Sequence, residues 1–285
     1  MQIPARTPAM TAMTAASLDL LSSGRFRLGL GVSGPQVSEG WHGVRFSSPL
    51  GRTREYITVV RTALSRQALE FQGDHYNLPL PNGPGKPLKL TIQPVSEQIP
   101  IYLAAVGPKN LDLTGELADG WLAIFYAPEF GAEQLSHIEA GRARAGKPMD
   151  GFDVVPTVPL VVGADPRQCA DAVRPYAALY LGGMGSREKN FYNALAVRMG
   201  FAEEAATVQE LYLDHRHRDA MAAVPYEFLA ETSLLGDRQH IAERLKVLAA
   251  SGVTTCAVAP HGGPIEEKLG ALTIVAEALD LAGVA

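Results

Sequence analysis

The stretch Arg25–Gly43, RFRLGLGVSGPQVSEGWHG, constrains the fold more than any other part of the chain. It opens as a short apolar strand, Phe26–Leu30, and then breaks into a loop carrying Gly31, Gly34, Gly40 and Gly43. Ser33, Gln36, Ser38, Glu39, Trp41 and His42 lie between those glycines. Glycine lets a backbone come close to a ligand, and the residues between can contact what binds. A strand opening into such a loop is where α/β enzymes place ligands. Gly29–Gly34 also spells G-x-G-x-x-G, but a dinucleotide site needs a long helix starting there, and Pro35, Gly40 and Gly43 exclude one. Ser33 lies one residue short of a nucleophile elbow, so acyl transfer is not indicated.

Strands and helices alternate through the rest of the chain. Residues 1–23 read as a strand end, a Pro-bounded turn and a helix, with Thr7 as its cap, Pro8 in its first turn and Gly24 ending it. Another covers 52–64, with Ile57, Val60 and Leu64 on one stripe. LEFQGDHYNL reads as a hairpin turning at Gly73-Asp74, and Leu88–Ile92 reads as an added strand. Residues 65–98 therefore look like an insertion. Further strands are expected at Ile99–Ala105, Trp121–Phe125, Asp153–Val162 and Val253–Ala259, with helices after Gly107 and over 128–145, 237–250 and 265–281. Asp165 should cap a helix, and Gly182–Ser186 should break the chain.

Alternating elements imply parallel βα units. Several strands end in glycine-containing loops at their C-terminal ends, which is the (β/α)-barrel arrangement with its site at that face. A doubly wound sheet is the alternative. The chain has 285 residues, 47% of them hydrophobic, enough for one large domain. A net charge of −5 without a long basic run argues against nucleic acid. No apolar run reaches membrane-spanning length and the N-terminus lacks a signal-peptide pattern, so a soluble cytoplasmic protein is expected. Cys169 and Cys256 lack metal spacing and read as buried free thiols.

A second constellation is Ala104-Ala105-Val106-Gly107-Pro108-Lys109. Small residues at a strand end leave room for a flat ring or its linker. Gly107 and Pro108 then open a helix whose free N–H groups and dipole favour an anion, and Lys109 adds a positive charge. This reads as a phosphate site. His215 and His217 look metal-like, but H-x-H on a helix points its rings to different faces, and the arginines around them indicate a solvated charged helix. Glu39 and His42, inside the glycine loop, are the candidates for proton transfer or hydrogen bonding to a substrate.

RFRLGLGVSGPQVSEGWHGVRF, PLGRTREYITVVRTAL, LEFQGDHYNL, IPIYLAAVGPKNLDLTGELADGW and SLLGDRQHIAERLKVLAASGVTT, in that order, resemble the luciferase-like monooxygenase superfamily. More narrowly they resemble its actinobacterial deazaflavin-dependent branch, akin to methylenetetrahydromethanopterin reductase. The resemblance covers nearly the whole chain. It implies a TIM-type (β/α)8 barrel with coenzyme F420, or flavin mononucleotide (FMN) in other branches, across its C-terminal mouth. It carries contacts to the ring and ribityl chain onto Val32, Ser33, Gly34 and Gln36, and to the phosphate end onto Ala104, Ala105, Val106, Gly107 and Pro108. A hydride would pass between the deazaflavin and a small organic substrate, with an FMN-dependent monooxygenase and a catalytically silent ligand-binding barrel as alternatives. A sugar-phosphate-oxidising relative has a Glu in the first loop; here Ser33-Gly34-Pro35 offers no acid. A homodimer is the expected assembly. Against the family pattern, one barrel domain over residues 1–285 would lack its first two βα units and most of the third strand, with Met1–Pro4 matching that strand's tail. Edges beside such a gap would be exposed, and the chain inactive or dependent on a partner subunit.

Overall fold

The computed structural model describes residues 1–284. The chain divides into two compact units, each assembled from separated stretches. The first comprises Met1–Ala105, Lys109–Trp121 and Ile138–Phe152. The second comprises Val106–Pro108, Leu122–His137 and the chain from Asp153 onward.

In the first unit, helix α1 (Pro8–Leu21) starts on Thr7, whose hydroxyl accepts from Met10 N at 3.2 Å. Ser23 and Gly24 take positive φ to end it, as the glycine suggested. Strand β1 (Leu28–Gly31) leads into the short helix α2 (Pro35–Gly40), and α3 follows over Pro49–Leu64. Helix α1 packs on α3, where the Thr11 and Tyr56 hydroxyls meet at 2.5 Å in the core. Strands β2 (Phe71–Gln72) and β3 (Asn77–Leu78) form the expected antiparallel hairpin. Its turn is tied down by Glu55 of α3, which accepts from the N–H groups of Asp74, His75 and Tyr76 at 2.8 to 3.0 Å.

The strand expected at Leu88–Ile92 does not form. Its backbone is satisfied singly instead, Leu88 O by Leu69 N at 2.8 Å and Leu90 O by Arg66 Nε at 3.3 Å. The loop beyond is anchored by Asp19, which is fully buried and accepts from Val95 N, Ser96 N and the Ser96 hydroxyl at 2.7 to 2.8 Å. Burial pushes the Asp19 carboxyl up, but these donors outweigh it and hold it below its ordinary 3.8. Its stabilisation is therefore present above that value and lost as pH falls through it toward the folded-state pKa. We expect Asp19→Ala to cost about 2 kcal/mol at neutral pH, the scale of a lost charged hydrogen bond. Chemical denaturation of the variant at pH 7 checks this; an unchanged midpoint would remove Asp19 as an anchor.

Strand β4 (Ile101–Ala104) runs parallel to β1, placing Ala104 opposite Gly31. On the other edge of β1, Gln2 forms an isolated parallel bridge to Gly31. Asp119 fixes the start of β4 by accepting from Ile101 N at 2.9 Å while holding Arg61 of α3 at 2.9 Å. Helix α4 (Pro108–Leu117) follows, then β5 (Gly120–Ile124) and α5 (Pro128–Arg144). Gly115 of α4 and Gly141 of α5 bring the two backbones together. A Cβ on Gly115 would lie 2.0 Å from Ile138 O, and one on Gly141 2.0 Å from Asp112 O.

The second unit is built on β6 (Asp153–Val162). Its Pro156 and Pro159 are three apart, so their missing donors fall on opposite edges and each edge loses one ladder bond. Helices α6 (Pro166–Asp171) and α7 (Arg174–Ala178) follow, with Asp165 capping α6 as expected. The glycine-marked break takes the form of a π-helical turn at Leu179–Gly183, pressed on Tyr212. Helices α8 (Phe191–Arg198), α9 (Ala202–Leu213), α10 (His217–Ala223) and α11 (Tyr226–Thr232) complete a helical layer.

Strand β7 (Leu234–Gly236), α12 (Arg238–Ala250), β8 (Ala257–Pro260) and α13 (Ile265–Ala282) end the unit. Both β7 and β8 pair with β6 in parallel. Strand β8 starts later than the sequence suggests because the Thr254 hydroxyl takes the bond from Val154 N at 2.9 Å, displacing the regular ladder. Both cysteines are free, but only Cys169 is buried; Cys256 is half-buried at the start of this strand. No helix among the described residues is long and apolar enough to cross a membrane.

Candidate active site

Two loops at strand C-termini carry the residues singled out from the sequence. In the first unit, β1 delivers the chain into Val32–Gln36. Ser33 sits at φ +61°, a left-handed conformation that non-glycine residues adopt rarely, and one that invites a functional explanation. Gly34 lies just before α2, Gln36 is exposed, and Val32 packs against the core around Leu30. Beside this loop Ala104 ends β4 with its side chain exposed, and a Cβ built on Gly31 would lie 3.4 Å from Ala104 Cβ. Adjacent parallel strands thus end in a floor with nothing larger than a methyl group.

Glu39 and His42 are engaged within this part of the chain. Glu39 accepts from Phe46 N at 3.0 Å and lies 3.7 Å from Arg45. The His42 Nε2 atom meets Gln2 Oε1 at 2.9 Å. Both side chains thereby brace the glycine loop.

The second loop runs through Ala105, Val106, Gly107 and Pro108. Ala105 is buried and its carbonyl accepts from Trp121 Nε1 at 2.9 Å, within the first unit. Val106–Pro108 belong to the second unit, where Val106 O accepts from Arg198 Nη2 at 3.0 Å. Burial depresses the Arg198 pKa, against a weaker upward pull from Glu133. A Cβ on Gly107 would meet nothing within 4 Å, so the protein leaves open space there. Trp121 ends one of the stretches that carry the resemblance, which assigns it no role, and Arg198, at the end of a helix, gives no local signal.

The second unit also gathers an aromatic cluster around Phe125, which follows β5 at φ +49°. Tyr176, Tyr180 and Tyr192 lie 5.4, 5.7 and 6.5 Å from its ring centre. His261, just past β8, lies 5.2 Å from the Tyr176 ring. Burial raises the Tyr176 and Tyr192 phenols and, with Lys268 nearby, lowers His261, so these groups are uncharged at neutral pH. Val106 packs against the same cluster. His217 packs on Tyr212, which also packs against this cluster, with ring centres 4.4 Å apart, and lies 5.9 Å from the His215 ring; His215 takes φ +61° in a turn and His217 starts α10, so the two do not share one helix.

Residues 1–255 match the luciferase-like monooxygenase family, and the chain belongs to that family. It is 40% identical over 278 residues to a Mycobacterium tuberculosis protein provisionally named a coenzyme F420-dependent oxidoreductase, covering 95% of this chain and 80% of that one. It is 29% identical over 267 residues to the 5,10-methylenetetrahydromethanopterin reductase of Archaeoglobus fulgidus, covering 92% and 75%. Among solved structures, the coenzyme F420-dependent tetrahydromethanopterin reductase of Methanopyrus kandleri superposes with a TM-score of 0.78 at 24% identity, covering 96% of this chain and 79% of that one. The α/β fold with parallel strands is thus that of the luciferase-like TIM-barrel enzymes, as the sequence suggested.

Proposed function

We propose that this protein is a coenzyme F420-dependent oxidoreductase that moves a hydride between the deazaflavin and a small organic substrate. The observation that carries this reading is the 40% identity, over 95% of the chain, to the mycobacterial relative with that provisional name. The residues present fit such a cofactor. The Gly31 and Ala104 strand ends leave a flat, uncrowded floor, and the open space at Gly107 lies at the N-terminus of α4, where an anion is favoured.

In this reading Val32, Ser33, Gly34 and Gln36 hold the ring and ribityl chain, and Ala104, Ala105, Val106, Gly107 and Pro108 hold the phosphate end. The bound deazaflavin supplies hydride chemistry, while the protein supplies binding, orientation and electrostatics. The uncharged phenols and imidazole around Phe125 offer hydrogen bonds and ring faces to an organic substrate without adding a carboxylate or an arginine.

Titration of the purified protein with F420 and with FMN, followed by cofactor fluorescence, tests the reading. Saturable F420 binding with hydride exchange is expected; FMN binding with oxygen consumption, or binding of neither by a folded sample, would overturn it. Ser33→Ala and Gln36→Ala should each weaken F420 by about 1 kcal/mol, near fivefold in Kd, for one lost hydrogen bond. A cofactor complex with both side chains in solvent would remove them from the site.

A further inference from the structure

We propose that Arg198 is a positioning residue that locks the Val106–Gly107 peptide with its N–H turned toward the phosphate end of the bound cofactor. The inference rests on the cofactor reading above and adds to it a residue from the helical layer, 92 positions along the chain from Val106. The argument begins with peptide geometry. In a trans peptide the C=O and the following N–H point in opposite directions. The Arg198 guanidinium holds Val106 O at 3.0 Å, so the Gly107 N–H points away from Arg198. Glycine at 107 leaves φ free, and Pro108 restricts mainly the ψ of residue 107, so the local backbone alone does little to hold the Val106–Gly107 peptide in one orientation. The lock must therefore come from outside the loop, and Arg198 is the side chain that makes this contact.

The setting of Arg198 supports this role. Its guanidinium is half-buried and has no ion-pair partner among the described residues. Arg174 and Arg244 of the same unit, by contrast, are paired with Asp171 and Glu129. Holding a cation partly out of water with no carboxylate in ion-pair contact is unfavourable, and a neutral carbonyl and the longer-range pull of Glu133 compensate only in part. A phosphate group near Gly107 would add opposite charge across the peptide. The preceding peptide is fixed in a similar way, by Trp121 Nε1 on Ala105 O at 2.9 Å. Two successive carbonyls are thus each held by a side chain.

The test compares Arg198→Ala, which removes the donor, with Arg198→Gln and Arg198→Lys, which keep a donor of different reach and charge. If a fraction of molecules carries the flipped peptide, apparent affinity falls by that fraction. Arg198→Ala should bind F420 about tenfold more weakly at an unchanged Tm, and Arg198→Lys should recover most of the loss. Arg198→Gln should recover the part that comes from orientation and show a shallower salt dependence than the natural protein. Without cofactor, the Gly107 amide resonance should respond to inorganic pyrophosphate in the natural protein and not in Arg198→Ala. Equal F420 affinity and an equal amide response in Arg198→Ala would overturn the proposal. If F420 fails to bind any version while the pyrophosphate response still depends on Arg198, the positioning role stands and the cofactor reading falls.

Discussion

Gly115→Ala, or Gly141→Ala, is expected to destabilise the protein by about 3 kcal/mol or more, at the upper end of overpacking effects. An added Cβ at either position would lie 2.0 Å from a backbone oxygen of the facing helix, Ile138 O in one case and Asp112 O in the other. A side chain can rotate out of such a clash; a helix backbone cannot. Relief requires α4 and this part of α5 to separate along their length, which opens the contact at both glycines. Alanine would otherwise be the favourable choice in a helix by about 1 kcal/mol over glycine, so propensity and packing predict opposite signs. Denaturant unfolding of each variant decides between them. A midpoint equal to or above that of the natural protein would mean the helices are not in backbone contact. The double variant should cost less than the sum of the two, because the first substitution already opens the gap.

Local signals made much of this fold legible. Thr7 with Pro8, Asp165 with Pro166, and Gly24 mark helix ends through short-range hydrogen bonding and φ preference, and all three act as expected. The hairpin was readable for the same reason, although the acid that holds its turn, Glu55, comes from α3 and could not be inferred from the hairpin itself. Strand β7 was missed because three residues are too few to display a period of two. The Leu88–Ile92 expectation failed because apolar composition signals burial, which Leu90 has, and not a ladder partner, which the segment lacks.

The candidate site divides along the same line. Glycines and small residues announce open backbone, so Gly31, Gly34, Ala104 and Gly107 could be selected directly. The side chains that orient this backbone, Trp121 and Arg198, act from 16 and 92 residues away and leave no spacing to recognise. The Phe125 cluster was also hidden, since Tyr176, Tyr180 and Tyr192 come from separate short helical segments with no common spacing.

Gly107→Val is expected to weaken F420 binding at least tenfold while leaving Tm essentially unchanged. The two halves of this expectation have separate origins. Folding should tolerate valine because a Cβ at residue 107 meets no protein atom within 4 Å and the glycine does not use a positive φ. Pro108 follows, and a residue before proline is restricted to extended conformations that a β-branched side chain readily adopts. Binding should suffer because the same open space, at the start of α4, is where the N–H groups are free to meet a phosphate. A branched side chain there would hold the ligand off by more than hydrogen-bond distance. Equilibrium titration together with thermal melting separates the effects. Unchanged affinity would remove the phosphate end from this loop, whereas lower affinity with a matching fall in Tm would reduce the result to misfolding. Lower affinity at constant Tm places the ligand against Gly107, because the protein alone supplies no reason for a glycine at that position.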